Sequence, residues 1–266
     1  MAGRDTIARG LFVWMVAVFI FLYAPIVVVV IYSFNGGRNL YIWTEFSTFW
    51  YSAVFENPRV INALYVSLQA AAINVVIAVS LGVLAGLTLA RRKGRWTRPF
   101  LLLLLLVLFT PELVVAIGLL IWFNHIGLDQ GLLRLAIGHS LFNLALVTLV
   151  VRGRAEGVGE TLEEAAADLG APPWRAFVQV TLPIMLPAVI AGALLAFTYS
   201  FDDVIISLFV QEPGSTTLPV HILSSFKPGL RGDVAAIVVM TLGVSLIGVV
   251  LAALLLRRSG QRALGL

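Results

Sequence analysis

Glu164-Ala165-Ala166-Ala167-Asp168-Leu169-Gly170, continued to Val180-Thr181-Leu182-Pro183, lies in the longest polar gap between hydrophobic runs of a 266-residue chain. Thr161 is placed to cap a short helix, and Glu164, three residues on, to reach back to the Thr161 N–H as a capping box. Glu163 and Glu164 put negative charge in the first turn, where the helix dipole favours it. Gly170 suits a left-handed stop, and Pro172-Pro173 forbid continuation. Pro173 then opens a second short segment, Trp174 to Val180. The pattern predicts a capped helix, an elbow and a chain turned into the apolar run at Leu182, a knob held outside a bilayer.

The flanks supply that bilayer. The chain is 60% hydrophobic, with a mean hydropathy of +0.98 and only 12% charged residues. Soluble domains carry about a quarter charged residues, so the composition is that of a membrane protein. Six apolar runs, at about 11–33, 62–90, 100–123, 132–151, 184–210 and 234–256, are each long enough to cross a hydrocarbon core as helix. The fourth is the weakest, because it contains Arg134, His139, Ser140 and Asn143. The first is too long for a signal-peptide core and reads as a retained anchor.

Lys and Arg set the orientation. With the N-terminus in the cytoplasm, Arg4, Arg9, the Arg91-Arg92-Lys93-Arg95-Arg98 cluster, Arg152, Arg154, Arg175, Arg257, Arg258 and Arg262 fall inside. Arg38, Arg59, Arg134, Lys227 and Arg231 fall outside. This positive-inside bias places both termini and the 152–183 loop in the cytoplasm. The net charge of +4 is therefore topological and does not imply nucleic acid. With no cysteine, the chain has no disulfide, thiolate site or cysteine nucleophile.

The order Glu164-Ala165-Ala166, Gly170, Val180, Leu182-Pro183 resembles the EAA loop of permease subunits in ABC importers. The resemblance implies an all-α integral membrane protein: one permease domain over 1–266, with six transmembrane helices in the type I importer (MetI-like) fold. It also implies that Glu163, Glu164, Ala165, Ala166, Asp168, Leu169 and Gly170 form a coupling helix seated on a cytoplasmic ATPase dimer. A related permease would complete a heterodimeric pore, and an extracytoplasmic binding protein would deliver the solute. ATP and Mg would be bound by the partner ATPase, for this chain has no phosphate-binding GxxxxGK[ST] loop. HExxH and GxSxG motifs are absent as well, so the chain reads as a transport subunit and not an enzyme.

Three carboxylates fall where hydrocarbon is expected: Glu112 in the third run, and Asp202 and Asp203 in the fifth. A charge there costs roughly 2.5–3.5 kcal/mol on insertion scales, so it faces a cavity or a partner. Counted along straight helices at about 1.5 Å per residue, Glu112 lies roughly 18 Å and Asp202 roughly 27 Å from the inner face. Pro111 is expected to kink the third span beside Glu112. Tyr199 and Thr198 stand one turn before Asp203 and Asp202. Glu112, Tyr199, Asp202 and Asp203 are thus candidates for a cation pathway, with helix-end anchoring the competing reading for the two aspartates. Gln69, Asn74, His139 and Asn143 read as hydrogen bonds between helices. Ala78, Gly82, Gly86 and Ala90, and separately Ala188, Gly192, Ala196 and Ser200, form small-residue ridges suited to close helix packing.

Phe201-Asp202-Asp203-Val204, Phe209-Val210, Pro213-Gly214 and Leu218-Pro219 are similar to the C-type permease of spermidine/putrescine importers. The similarity implies a polyamine cargo. Importers of other amines, amino acids or phosphonates share much of the pattern, and a secondary transporter or channel is the reading from a different class. Two outer segments are possible contacts for the binding protein. Residues 34–60 read mainly as an interfacial aromatic belt with a short amphipathic helix, and 211–233 are the better docking candidate.

Overall fold

The computed structural model describes the chain apart from Met1, residues 39–41, Lys93, residues 227–230 and residues 264–266, and traces 2–6, Ala8 and 255–263 as backbone only. Lys93 and Lys227 of the charge pattern lie outside the described residues, as do the side chains of Arg4, Arg257, Arg258 and Arg262.

The elements of the described chain are helices. Their order is α1 (Ala2–Tyr32), α2 (Phe49–Glu56), α3 (Pro58–Arg91), α4 (Thr97–Phe109), α5 (Glu112–His125), α6 (Gly131–Val158), α7 (Thr161–Asp168) and α8 (Pro173–Ala176). A π-helical turn (Phe177–Thr181) then leads into α9 (Leu182–Phe201), α10 (Ile205–Val210), α11 (Leu218–Ser225) and α12 (Gly232–Ala263). One isolated antiparallel bridge, Asn35 with Phe46, is the only β pairing among the described residues.

Five stretches are long and apolar enough to cross a membrane unbroken: Arg9–Tyr32, Pro58–Arg91, Gly131–Val158, Pro173–Phe201 and Gly232–Leu254. The third apolar run is no single rod but a bent pair of helices. Thr97–Phe109 and Glu112–His125 meet at 104° across Thr110-Pro111. Pro111 has no N–H to donate, and it restricts Thr110 to an extended backbone (ψ 132°). The expected kink is a full corner. Glu112 therefore starts a helix instead of lying midway along one, and a depth counted along a straight rod does not apply to it.

The fifth run differs too. The elbow lies between α7 and α8, and beyond it the segment from Pro173 is no separate helix, since α8 passes through the π-helical turn directly into α9. Nor does the run continue to residue 210: α9 ends at Phe201, and Asp202-Asp203-Val204 is a break before α10. The two aspartates stand at a helix end. The hydroxyls one turn before them, on Tyr199 and Thr198, do not bond the aspartates, and the buried Thr198 Oγ1 has no hydrogen-bond partner.

Two compact units emerge. The first comprises the chain through Ile61 together with Ile222–Leu242. Its α1 exposes Leu11, Trp14, Phe21 and their neighbours, an apolar rod that requires lipid or protein around it. The aromatic segment after α1 is organised by buried Asn35. Its Nδ2 donates to Ile42 O (2.8 Å), and its Oδ1 accepts from Thr44 N (2.9 Å) and Thr44 Oγ1 (3.0 Å). Trp50 Nε1 donates to Asn35 O (3.0 Å), and Phe34 stacks on Phe46. The expected short helix is present as α2.

The second unit, residues 62–221 with 243–266, is built around α6. The weakest span by composition is the most buried one, because its polar side chains are answered by neighbours. Asn143 Nδ2 donates to Asn74 Oδ1 (3.2 Å), and Asn74 Nδ2 donates to Ala196 O (3.0 Å), tying α6, α3 and α9 together. Gln69 does not join this network and is exposed. Both glycine ridges close on α6. A Cβ on Gly82 would lie 2.8 Å from Val147 Cγ1, and one on Gly86 would lie 2.8 Å from Thr148 O, while Gly192 faces Val147 at 3.3 Å. In lipid, where no hydrophobic force joins helices, such backbone proximity and interhelical hydrogen bonds supply the packing.

Candidate functional site

The knob begins one residue earlier than its capping box suggests. Glu160 is the cap residue, its carbonyl accepting from Glu163 N (2.9 Å) and Glu164 N (3.0 Å), and no side chain caps the helix. Thr161 is thereby inside α7, and Glu164 stands a turn in, exposed. The C-terminal expectation holds. Gly170 has φ +78°, Gly170 N donates to Ala167 O (2.9 Å), and Ala171 N donates to Ala166 O (3.0 Å). These are the paired bonds of a Schellman stop. Pro173 opens α8 as its first residue.

The residues of α7 divide by direction. Leu162, Glu164, Ala165, Asp168 and Leu169 are exposed, Leu169 at 89%, and Trp174 just beyond is 62% exposed. Ala166 is half-buried. Glu163 points inward, where its Oε1 accepts from Arg91 Nη2 (3.0 Å) and from Thr181 Oγ1 (3.0 Å). Arg91 also donates through Nη1 to Ala155 O at 3.0 Å. One carboxylate thus joins the knob to the end of α3 and to the π-helical turn, and the same guanidinium reaches α6. A hollow of about 340 Å³ lies behind the knob, lined by Leu87, Ala167, Phe177 and these polar groups. The sequence marked Glu163 as a first-turn charge; its partners, 72 and 18 residues away, gave no local signal.

A second site sits at the corner between α4 and α5. A cavity of about 320 Å³ is bounded by Val107 and Leu108 of α4, Thr110 at the corner, and Glu112 and Val115 of α5. His139, Phe142 and Asn143 of α6, Tyr199 of α9, Asp203 and Ile206 complete it. The Pro111 corner sets Glu112 at its wall, and the break after Phe201 does the same for Asp203. These two carboxyl groups, distant in sequence, are close enough to interact. Asp203 Oδ1 also accepts from Ser207 N (2.7 Å) in the first turn of α10, so helix capping and cavity lining coincide in one residue. Tyr199 packs against Phe142 with ring centroids 5.4 Å apart.

Asp202 does not line this cavity. Its Oδ2 accepts from Ser245 Oγ at 2.6 Å, joining the end of α9 to α12. His139, read as a link between helices, is one and lines the cavity as well. Its Nδ1 lies 2.7 Å from Ser200 Oγ, and its Nε2 lies 3.1 Å from Ser207 Oγ and 3.2 Å from Asp203 Oδ1. A proton on Nε2 faces the carboxylate, and Nδ1 then accepts from the Ser200 hydroxyl. Asn143 Oδ1 is buried without a partner at the same cavity.

Sequence reasoning missed a third cluster. Arg134, counted there as an outer topological charge, is 2% exposed. It pairs with Glu212, donates to Leu128 O, and places Nη2 2.7 Å from Asn124 Oδ1. The Glu212 backbone N donates to Ser215 Oγ (2.8 Å). The end of α5, the start of α6 and the segment after α10 are thus fastened by one guanidinium.

The model of binding-protein-dependent transport system inner membrane components matches residues 78–261. The chain belongs to this family. As a permease it is 36% identical over 252 residues to the putrescine transport system permease protein PotI of Escherichia coli K12, covering 92% of this chain and 90% of that one. To the spermidine/putrescine transport system permease protein PotC of the same organism it is 36% identical over 258 residues, covering 97% and 96%. Its fold superposes on a chain of a bacterial alginate ABC transporter, solved in complex with an alginate pentasaccharide-bound periplasmic protein. The TM-score is 0.74, with 17% identity and 96% and 95% of the two chains covered. The permease thus shares the MetI-like importer fold and is a multi-pass inner-membrane transport component.

Proposed function

We propose that this permease is half of the translocation pore of a polyamine importer, acting as a single domain with both termini in the cytoplasm. The observation that carries the cargo is the corner cavity: two carboxylates from separate helix breaks, Glu112 and Asp203, meet between apolar walls. An alkyl polycation presents that chemistry in reverse, ammonium groups separated by methylenes. The 36% identity to putrescine and spermidine/putrescine permeases over nearly the whole chain supports the same reading.

A related permease completes the pore, a binding protein loads it from outside, and an ATPase dimer binds ATP and Mg. The exposed face of α7, with Leu169 and Trp174, docks on that ATPase. Glu163 carries its rigid-body displacement to α3 and α9 through Arg91 and Thr181, and access alternates between the two sides. In this assignment Glu112, Tyr199 and Asp203 form the pathway, while Asp202 holds α9 to α12.

Uptake of radiolabelled putrescine and spermidine by the assembled importer in proteoliposomes tests the reading. Glu112→Gln/Asp203→Asn should abolish uptake while the binding protein still stimulates ATP hydrolysis. Full uptake by that variant refutes the pathway.

A further inference from the structure

The turn between α3 and α4 carries two hollows apart from the corner cavity and from the hollow behind the knob. On one side, a cleft of about 670 Å³ is lined by Arg95, Arg98, Arg152 and Glu156. On the other, a groove of about 540 Å³ is lined by Leu84, Ala85, Thr88, Arg92, Trp96 and Phe100. Leu89, Gly94 and Thr97 line both, so the two are continuous around the turn.

The cleft is built to be cationic. Glu156 is the one acid among its described lining residues, and Arg152 holds it at 2.7 Å. Arg95 and Arg98 are left without a carboxylate there. Thr97 fixes the turn that presents them: its Oγ1 accepts from Gly94 N (3.0 Å) and donates to Arg92 O (2.8 Å). The groove has the opposite character, aliphatic and aromatic, and Trp96 at its edge is 84% exposed. An exposed tryptophan between the end of one span and the start of the next sits at the height of lipid headgroups.

We propose that this turn is a binding site for an anionic phospholipid. The phosphodiester lies between the Arg95 and Arg98 guanidiniums, whose forked donors match it. An acyl chain follows the groove along Leu84, Ala85 and Phe100. A soluble phosphate would use the cleft and leave the groove empty. A zwitterionic lipid offers the same phosphodiester but brings an ammonium into the arginine-lined cleft, where like charges repel it. Basic pockets beside transmembrane helices at a membrane surface take anionic headgroups for this reason.

The test uses the assembled importer reconstituted in equal parts phosphatidylglycerol and phosphatidylcholine with matched acyl chains, then released for native mass spectrometry. Wild-type complex should retain phosphatidylglycerol preferentially, and Arg95→Gln/Arg98→Gln should reduce that retention about tenfold with phosphatidylcholine unchanged. Ala85→Leu, which narrows the groove, should weaken retention without altering the charge. Glycerol 3-phosphate in excess should not displace the lipid. Equal retention by wild type and the double variant, or displacement by glycerol 3-phosphate, overturns the site. So does a cross-link from position 95 to the ATPase in complexes that hold no phosphatidylglycerol. Retention is read without uptake, so a different cargo would leave this result standing.

Discussion

Glu163 and Arg91 meet at 3.0 Å and make the end of α3 a fixture of the knob. The pair is partly exposed, with side-chain exposures of 29% and 17%, so its contribution to folding is modest, about 1 kcal/mol or less. Its value is directional, since a push on α7 reaches α3 and the π-helical turn through one carboxylate. Glu163→Gln should therefore leave the complex assembled but lower solute moved per ATP hydrolysed by about threefold to tenfold. Parallel uptake and phosphate-release measurements on the same proteoliposomes check this. Thr181→Val should give a smaller loss in the same direction, and an unchanged ratio in both would remove Glu163 from the linkage.

Gly170 occupies the left-handed region at φ +78°. A β-branched side chain there costs on the order of 1–2 kcal/mol or more, and the Schellman stop would rearrange. Gly170→Val should impair uptake while ATP hydrolysis loses its response to loaded binding protein. Gly170→Asn, whose side chain tolerates this backbone, should retain most activity.

The two aspartates should separate by experiment. Asp203→Asn alters a cavity wall beside Glu112 and His139, and uptake of polyamine should fall at least about tenfold, mainly through the concentration dependence. Asp202→Asn retains an acceptor for the Ser245 hydroxyl and should cost about twofold or less. Equal losses would place Asp202 on the pathway after all.

Arg134 presents a different kind of test. Arg134 is buried but Glu212 is one-third exposed, so removing the guanidinium leaves a carboxylate that water reaches, and the loss comes from unpairing Leu128 O and Asn124 Oδ1, roughly 1–3 kcal/mol. Arg134→Met should lower the thermal stability of the purified permease complex accordingly. Glu212→Leu added to it should recover little of the loss, because the carbonyl and the amide stay unpaired. A double variant restored to wild-type stability would show that the carboxylate carries the loss instead.

Much of this architecture was readable in advance where one residue type dictates one geometry. Gly170 before Pro172-Pro173 specified the stop, because few backbones satisfy both. Long apolar runs specified spans, and Pro111 specified a bend. The 104° angle was not readable, because proline removes a bond without choosing what replaces it. The continuity from Pro173 into α9 was equally hidden, since a π-helical turn uses no distinctive residues. Thr161 looked like a cap because its spacing to Glu164 is right, yet Glu160 holds that place and neither side chain bonds there. The site residues were legible as misplaced charges. Their partners were not, because Glu112, His139 and Asp203 come together only through two helix breaks.

Gly86 leaves no room for a side chain, since a Cβ there would lie 2.8 Å from the Thr148 carbonyl, so α3 and α6 approach backbone to backbone. Side chains can swivel past one another, but two main chains at that approach leave no clearance for sliding. The α3 and α6 helices are therefore laminated, and whatever opens and shuts must articulate at seams with more play, such as the π-helical turn or the break after Phe201. Spin labels bridging α3 and α6 should keep one separation through the whole ATP cycle, while a pair spanning Asp202-Asp203 should not.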